Sequence, residues 1–261
     1  MIKKIITGIV VIIASLVLVY HFLISPRYVV PILTYHHIEQ KAEDCPSVTL
    51  KSFSTEMKFL KKHRYNIISL DALVTGITQH KKFPHNTVVI TFDDGYKDNY
   101  LYAFPVLHKY GFPATIFLAT KYVDENDPLF LSWDEIGIMA ENKITFGAHT
   151  HSHVYIPDIT DMRTLTYEIK KPKELIESHL NMPCFYFCYP VGGFTKTVKE
   201  LLQKNGYKGA CTTNRGHDKF NHDVYELNRI KITDKDSRHL FFFWAKLTGY
   251  YTIFKSLKAS H

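Results

Sequence analysis

The chain has 261 residues, and 46% of them are hydrophobic, which is enough for one large domain or two small ones. Its 32 basic and 25 acidic side chains give a formal net charge of +7 with histidine neutral. This positive excess is spread along the chain without an Arg/Lys-rich block, which disfavours nucleic acid as a partner. An anionic membrane or an anionic cell-wall polymer is compatible with it.

The first segment, residues 5–24, is almost continuously apolar and follows Lys3 and Lys4. Its length is close to the ~20 residues that cross a bilayer as a helix. Because no small-residue cleavage site follows, the pattern predicts an uncleaved signal anchor, with a buried core helix as the alternative. The lysine pair predicts that the N-terminus stays inside and that the rest of the chain is extracytoplasmic, at the cell surface or in the periplasm.

Four cysteines occur, and they lack the C-x-x-C spacing typical of a zinc knuckle. Cys184 and Cys188 lie about 13 Å apart if they share one extended strand, which is too far for a disulfide. A disulfide between Cys188 and Cys211 requires that their strands are neighbours. Four free thiols, with Cys45 among them, are the alternative.

Beyond the apolar segment, strand-like and helical patterns alternate along the chain. The predicted strands are 28–35, 66–70, 88–92, 114–119, 144–148, 184–189 and 209–213, and the predicted helices are 47–62, 72–77, 100–110, 133–140, 165–180 and 197–204. This alternation is typical of parallel strands joined by crossovers. No G-x-G-x-x-G follows any strand, so a dinucleotide-binding sheet is disfavoured and a distorted TIM-like (β/α) barrel is predicted.

Chemically active side chains follow three of the predicted strands. Asp93 and Asp94 follow 88–92, three histidines follow 144–148 in the run HTHSH, and a Pro-Val-Gly-Gly turn follows 184–189. In a barrel the carboxyl ends of the strands meet at one rim, so these groups are expected to lie together. Taken alone, Asp-Asp-Gly is ordinary turn chemistry and HTHSH is an ordinary surface loop.

Together these groups favour a divalent metal site. A carboxylate and two imidazoles are the ligand set of a catalytic metal that keeps open positions for water and substrate. Their convergence on one rim favours this interpretation over the turn and the surface loop. One of the two aspartates then binds the metal, while the other stays ionised beside the cation and accepts a proton from water.

These residues resemble the NodB-type polysaccharide deacetylases of carbohydrate esterase family four, over most of the chain after the apolar segment. TFDDG at 91–95 matches the first motif of that family, which implies Asp93 as the catalytic base and Asp94 as a metal ligand. HTHSH matches the second motif, H-[ST]-x-x-H, which implies His149 and His153 as the other ligands. The resemblance implies hydrolysis of N-acetyl groups with a divalent ion, Zn by preference and Ni, Co or Mn as alternatives.

The branch that deacetylates poly-N-acetylglucosamine is the nearest match within that family. LTYHHI at 33–38 resembles its Y-H-x-I strand, and FCYPVGG at 187–193 resembles its F-x-Y-P-x-G segment. The chain departs from the family in two places, because Cys188 occupies the position of an Arg and no L-x-H motif supplies a general acid late in the chain. Arg229 is the predicted substitute for that Arg, with a rim salt bridge as the alternative, and His36 is the predicted acid.

The resemblance also implies substrate contacts. Trp133, followed by an acidic residue, is similar to a W-[DE] pair of the branch and is expected to form a wall of a sugar groove, with a packed core tryptophan as the alternative. Tyr189 lies in the substrate-binding segment, and the backbone N–H of Val191 falls where the oxyanion donor is expected. The implied partners are an acetylated polysaccharide containing N-acetylglucosamine, the membrane through the anchor, and the machinery of polysaccharide synthesis or export.

The expected organisation is a signal anchor over 1–26, a strand and helix segment of the barrel over 27–84, a NodB-type deacetylase core over 85–250 and a tail over 251–261. The aromatic stretch 238–260 is interpreted as the last barrel helix, with a membrane-surface helix as the alternative. Two other functions stay open. An esterase would remove O-acetyl groups with the same residues, and the missing Arg and L-x-H motifs are also typical of a catalytically silent glycan-binding protein.

Overall fold

The structure, a computed structural model, describes residues 2–19, 22, 28–41, 47–213 and 216–251. Its strands are β1 (Ile32–Tyr35), β2 (His37–Glu39), β3 (Ser47–Thr49), β4 (Asn66–Ile67), β5 (Thr87–Phe92), β6 (Ala114–Leu118), β7 (Ile144–Ala148), β8 (Tyr186–Cys188), β9 (Gly209–Cys211) and β10 (Ile230–Lys231). Its helices are α1 (Ile2–Val19), α2 (Leu50–Lys62), α3 (Leu70–Thr78), α4 (Phe104–Tyr110), α5 (Thr120–Asp124), α6 (Trp133–Ala140), α7 (Met162–Leu180), α8 (Lys196–Lys204), α9 (Asp234–Arg238) and α10 (Leu240–Lys246).

Strand β5 lies inside the sheet between β1 and β6, and all six of its residues are buried. A strand of a parallel sheet is buried in this way when both of its faces are covered. Val88, Ile90 and Phe92 pack in the larger hydrophobic core, whereas Val89 packs in a second cluster on the other face, with Phe117 among its neighbours. The continuous apolar run of β5 therefore serves two cores, one on each face of the sheet.

The main sheet has the strand order β10-β1-β5-β6-β7-β8-β9, with β4 paired to the start of β5, and its ladders are parallel. Edge strand β9 forms a bridge from Cys211 to Leu227, which lies in the connection that leads to the other edge strand, β10; there Thr212 N–H donates to Leu227 O at 2.9 Å. The predicted TIM-like barrel is thus confirmed only as a curled, parallel, open sheet. No β9–β10 ladder is present among the described strands, because the long connection between them occupies the place where it would form.

Proline and glycine set the limits of α4. The predicted helix over 100–110 is divided into one turn of π-helix, Asn99–Ala103, and α4, because Pro105 near its start lacks the N–H that a continuous helix needs. Gly111 ends α4 in the left-handed conformation with φ of 67°. The polypeptide then enters β6 three residues later.

The predicted signal anchor, residues 5–24, is not confirmed. Helix α1 ends at Val19, and positions 20, 21, 23 and 24 lie outside the described residues. Within the described part of the chain, no helix combines the length and the apolarity that crossing a membrane requires. The alternative of a buried core helix is also wrong, because the side chains described for α1 are exposed.

The cysteines are free thiols wherever the structure describes them. Strands β8 and β9 are neighbours, and Cys188 lies opposite Cys211 in their register. Cys184, Cys188 and Cys211 are nevertheless unpaired and buried, as the alternative interpretation expected. Cys45 lies outside the described residues.

The aromatic stretch near the C-terminus forms α10, which packs on the domain as its last described helix. Phe243 and Leu247 are buried in the larger core. The remainder of the stretch from residue 252 lies outside the described residues.

Candidate active site

The candidate site begins where β5 ends. Asp93 continues the strand pairing, because its N–H donates to Tyr35 O at 3.0 Å. Asp94 then turns the backbone with φ of 72°, a left-handed conformation that is uncommon for a residue with a side chain. Gly95 follows at φ of 79°, where a Cβ would lie 2.6 Å from the side chain of Leu118. This sharp turn gives the two adjacent carboxylates different partners.

Asp93 forms a buried ion pair with Arg229. Its Oδ1 accepts a hydrogen bond from Nη1 at 2.7 Å, and its Oδ2 accepts one from Nη2 at 2.6 Å. Asp93 is 2% exposed and Arg229 is 1% exposed. Burial alone would raise the pKa of the Asp93 carboxyl, but the charge and the two hydrogen bonds of the guanidinium outweigh it and hold that pKa well below its usual range. Asp93 is therefore ionised at neutral pH.

The Arg229 guanidinium lies beside the small side chain of Cys188 and is hydrogen-bonded to three residues besides Asp93. Its Nε donates to Thr212 O at 3.0 Å, its Nη1 to Thr91 Oγ1 at 3.1 Å, and its Nη2 to Cys188 Sγ at 3.0 Å. Burial raises the pKa of the Cys188 thiol, so the thiol stays neutral beside the ion pair. The structure thus brings the predicted substitute, Arg229, to Asp93, in a buried ion pair and not in an exposed rim salt bridge.

Asp94 faces two imidazoles. Its Oδ1 lies 3.4 Å from His149 Nε2 and 3.1 Å from His153 Nε2. This oxygen is buried, and neither contact meets hydrogen-bond geometry in the described structure. His149 Nδ1 lies 2.8 Å from Cys188 O, which only accepts, so Nδ1 carries the proton and Nε2 presents a lone pair.

This arrangement fits a divalent cation. Ligand atoms of Asp94, His149 and His153 lie within 4.8 Å of one another. The buried, unpaired Asp94 oxygen is costly unless a cation binds it, and one carboxylate with two imidazoles suits Zn. Burial lowers the pKa of His149, which keeps the ring neutral, as a metal ligand must be.

A second group of possible ligands suits a cation less well. Atoms of Asp93, His149 and Cys188 also lie within 4.8 Å of one another. Both oxygens of Asp93, however, already accept hydrogen bonds from Arg229, and the Cys188 thiol is neutral, whereas a metal binds the thiolate. Of the two groups, the one that contains Asp94 is therefore the better candidate for a cation site.

Residues 149–153, which we call the histidine loop, are anchored by Glu168 of α7. The sequence motifs did not identify Glu168. The N–H groups of His151 and Ser152 donate to Glu168 Oε2 at 2.8 and 2.9 Å, and Ser152 Oγ donates to Oε1 at 2.6 Å. His153 adopts a left-handed conformation with φ of 57°, which this anchoring stabilises. The available signal was the position of Glu168 within the apolar stripe of α7, beside Ile169.

Of the two adjacent histidines after β1, only His36 faces Asp93. Its Nε2 lies 3.9 Å from Asp93 Oδ2, and its Nδ1 is buried without a hydrogen-bond partner in the described structure. His37 Nδ1 instead lies 2.6 Å from Asp98 Oδ2, and its ring stacks on Tyr96. Burial lowers the pKa of His36, although the charges of Asp93 and Asp94 pull it upward, so the resting imidazole is neutral.

The three predicted substrate contacts lie in different places. Val191 is 55% exposed at the rim, and its φ of 56° is strained for a β-branched residue. Tyr189 is fully buried, packs on Phe194 and donates its hydroxyl to Tyr225 O at 3.0 Å. This packing turns the Tyr189 side chain into the core, so it is not placed to touch a substrate.

The Trp133 side chain packs against a helix. Its ring stacks on that of His179 of α7 with centroids 4.0 Å apart. Trp133 is partly buried and packs against the larger hydrophobic core. Its ring is therefore used in packing, as the core alternative expected.

Comparisons with known proteins agree with this geometry. A sequence model of the family described as polysaccharide deacetylase matches residues 80–210. The chain is 32% identical to the Bacillus subtilis (strain 168) protein YxkH, named as a polysaccharide deacetylase, over 78% of the chain and 71% of the relative. It is 25% identical to the poly-β-1,6-N-acetyl-D-glucosamine N-deacetylase of Staphylococcus aureus (strain MRSA252), over 76% of the chain and 72% of the relative.

Among solved structures, the fold is similar to that of the Streptococcus pyogenes deacetylase PplD in complex with acetate. The TM-score is 0.75 at 25% sequence identity, and the match covers 81% of this chain and 96% of PplD. The structure of IcaB from Ammonifex degensii has a TM-score of 0.73 at 22% identity, with 84% of this chain and 97% of IcaB covered. At 22% identity, the similarity to IcaB supports the fold alone.

Proposed function

This chain belongs to the polysaccharide deacetylase family, and from that membership we propose that it is a metal-dependent hydrolase that removes N-acetyl groups from a polysaccharide containing N-acetylglucosamine. The observation that carries the proposal is the division of two adjacent carboxylates at one rim. Asp94 faces two imidazoles, whereas Asp93 is paired with Arg229. The first set suits a cation, and the second keeps a fixed negative charge beside it.

Asp94, His149 and His153 would hold the cation. A divalent ion bound there supplies polarisation of the acetyl carbonyl and activation of water. The backbone N–H of Val191 is the proposed donor to the oxyanion that develops on the acetyl oxygen, since Val191 is exposed and lies in a strained turn at the rim. These residues orient the acetyl group between the cation and Asp93.

Asp93 and His36 would move the proton. Asp93 is ionised, and a carboxylate oxygen accepts more than one hydrogen bond, so it can take the proton of the attacking water despite Arg229. His36, neutral at rest and 3.9 Å away, receives that proton and gives it to the leaving amine. The separation exceeds a hydrogen bond, as is common for catalytic pairs before substrate binds.

Two observations favour catalysis over a silent glycan-binding protein. Arg229 reaches the base although Cys188 replaces the arginine of the motif, and His36 lies beside the base although the late L-x-H motif is missing. The name of the Staphylococcus aureus relative supports N-acetylglucosamine as the sugar and the N-acetyl group as the target. The alternative is an O-acetyl esterase, and a test with N-acetylated and O-acetylated substrates distinguishes the two activities.

The test is acetate release by the purified chain from oligomers of N-acetylglucosamine, measured before and after chelation and after Zn, Ni, Co or Mn is added back. We expect release from N-acetylated oligomers, loss on chelation and recovery with metal. Release from O-acetylated glycans alone would replace the proposal by an esterase. Glycan binding without release from either substrate, in protein that carries metal, would replace it by a binding protein.

We also propose that the enzyme acts outside the cytoplasm, near the machinery that makes or exports the polysaccharide. The support is the chemistry of the substrate class that the family implies. Labelling of intact cells with a membrane-impermeant amine reagent should modify exposed lysines such as Lys196. Labelling that appears only after the cells are lysed would contradict this location.

A further inference from the structure

The end of the sheet opposite the rim carries an unusual surface, which we call the basal face. It consists of α10 and the connections that lead from helices into the starts of strands, above all 63–65 and 79–86. The two connections are joined, because Asn86 Nδ2 donates to Arg64 O at 2.8 Å and Asn66 N–H donates to Asn86 O at 2.7 Å. The basal face is therefore one continuous surface.

Three large aromatic side chains of α10 are exposed on this face. Phe241 is 66% exposed, Phe242 is 53% exposed and Trp244 is 46% exposed. The ring of Phe241 contacts those of Phe242 and Trp244, each with centroids 5.8 Å apart, so the three form one patch. A contiguous apolar patch of this kind on a soluble domain is typical of a surface that binds a protein or a membrane.

The helix is fixed in this orientation by its opposite side. Phe243 is fully buried, and its ring contacts that of Phe59 on α2 with centroids 5.9 Å apart. Beside this contact, an open cavity of about 510 Å³ is lined by Phe241, Trp244 and His63, among others. Because α10 already buries one side in the core, its exposed aromatic side is a property of the folded domain.

Positive charge surrounds the aromatic patch. The exposed basic side chains of the two joined connections and of the end of α2 are Lys61, Lys62, Arg64, Lys81 and Lys82. None of these five has an acidic side chain within 4.0 Å among the residues that the structure describes. Unpaired lysine and arginine side chains bind anionic lipid headgroups, and exposed aromatic rings enter the interfacial layer of a bilayer. A surface that combines the two is typical of membrane binding.

The polypeptide also enters and leaves the described domain at this face. Tyr28 stacks on His85 with ring centroids 4.3 Å apart, and its hydroxyl donates to Thr87 O at 3.3 Å. Val29 N–H donates to Gly249 O at 3.0 Å, which holds the N-terminal and C-terminal ends of the domain together. Both ends therefore lie beside the basic connection 79–86.

We propose that the basal face docks on the surface of an anionic lipid membrane. Lys61, Lys62 and Arg64 would contact the headgroups, while the aromatic patch of α10 enters the interfacial layer. Charge complementarity favours lipid over a second copy of this chain, because two basal faces would bring positive charges together. Docking in this orientation leaves the rim with Asp93 and Asp94 facing away from the lipid, where a polymer has access.

The chain contains two tryptophans, Trp133 and Trp244, which permits a local test in the full-length protein. Trp133→Phe leaves Trp244 as the sole emitter, and the substitution removes a buried indole N–H that has no hydrogen-bond partner in the described structure. The probe is a vesicle of equimolar phosphatidylglycerol and phosphatidylcholine that contains brominated lipid, compared with phosphatidylcholine alone. We expect a blue shift and quenching of Trp244 with the anionic vesicle only, and weakening by salt.

The charge requirement is tested by the triple variant Lys61→Gln, Lys62→Gln, Arg64→Gln. Each basic residue near an anionic surface contributes about fivefold to affinity, so the triple variant should bind about a hundredfold more weakly. The matched control is Lys121→Gln, Lys170→Gln, Lys196→Gln, which removes the same charge away from the basal face. Equal weakening in the two triple variants would overturn the proposal.

Three other outcomes would also overturn it. Trp244 emission that is unchanged by anionic vesicles shows that α10 does not touch lipid. Vesicle sedimentation of the protein without quenching of Trp244 shows that another part of the chain binds the membrane. A dimer that Phe241→Ser converts to a monomer, with no response to vesicles, shows that the patch joins two copies of the chain.

Discussion

The two ends of the sheet place their charged groups in opposite environments. At the rim, Asp93 and Arg229 are almost completely buried and satisfy each other through two short hydrogen bonds. At the basal face, Arg64 and the lysines around it are exposed. The loops also differ in the sign of their charge. The described connections from strands into helices carry five aspartates against Lys97, whereas those from helices into strands carry Arg64, Lys81, Lys82, Lys143 and Lys208 against Glu141 alone.

This difference follows from what each end has to do. A reaction centre needs charges that are desolvated and held in one geometry, as Asp93 and Arg229 are by burial and two hydrogen bonds. A docking surface needs charges that remain hydrated until a partner arrives. The same residue type, arginine, therefore has a structural and electrostatic role at one end and an adhesive role at the other.

The largest expected effect is the loss of activity when the cation site is removed. Asp94→Asn should lower acetate release by about 10³-fold or more and abolish stoichiometric Zn binding, because it removes the charged ligand. Asp93→Asn should lose activity while it retains Zn, because Asp93 is paired with Arg229 and not with the imidazoles. Metal content by mass spectrometry, alongside acetate release, separates the two roles. Loss of Zn in both variants would contradict the division of the carboxylates.

The buried ion pair should matter far more for stability than any basal charge. Arg229→Met leaves Asp93 buried without its partner and should reduce the free energy of unfolding by about 3–5 kcal/mol. The matched substitution Arg64→Met, at an exposed position, should change it by less than about 0.5 kcal/mol. Urea denaturation measures both. Similar losses of unfolding free energy in the two variants would show that the buried ion pair contributes no more to stability than the exposed arginine.

A substitution of Glu168 tests whether its hydrogen bonds orient the histidine loop for metal binding. Glu168→Gln weakens the hydrogen bonds to His151 and Ser152 and should lower Zn affinity by about 10–100-fold without removing a ligand. Glu174→Gln, an exposed carboxylate on the same helix, is the control and should leave Zn affinity unchanged. Isothermal titration with Zn compares them, and equal affinity in all three proteins would mean that the loop orients itself.

Glu56 shows what burial does to a carboxyl that has no guanidinium beside it. Burial raises the pKa of Glu56 to about 8 from its ordinary 4.5, although it accepts hydrogen bonds from Tyr35 and Ser237. Asp93, buried to the same degree, shifts in the opposite direction because of Arg229. The charge of the partner, and not burial by itself, therefore decides whether the pKa of a buried carboxyl rises or falls.

The raised pKa of Glu56 also predicts that the stability of the protein depends on pH. The folded chain holds the Glu56 proton between pH 4.5 and 8 while the unfolded chain releases it. Stability from this group is therefore fully present below pH 4.5 and is lost as pH rises to 8, at about 1.4 kcal/mol per pH unit. Glu56→Gln should lack this slope, so the difference in free energy of unfolding between the two proteins should change with pH between 4.5 and 8. Parallel curves for the two proteins across this range would show that Glu56 ionises normally.

Local patterns were sufficient for much of the site. Asp93, Asp94 and the HTHSH run were identifiable because each follows a strand, and strand ends meet in a parallel sheet. Glu168 and Glu56 were missed, although each lies in the apolar stripe of its helix, where an acidic residue indicates a buried partner. Trp133 and Tyr189 were assigned to the substrate because a motif specifies order along the chain and not the direction of a side chain.

The sequence by itself determined the parallel α/β architecture, the buried strand before Asp93 and the candidate residues for a cation site, because periodicity, turn chemistry and motif spacing are local properties. Only the tertiary structure decided which arginine pairs with Asp93, which of two adjacent histidines faces it, and whether the curled sheet closes. Those outcomes depend on contacts between residues far apart in the chain, such as the hydrogen bond from Arg229 to Cys188. No local pattern contains that information, since it arises from packing.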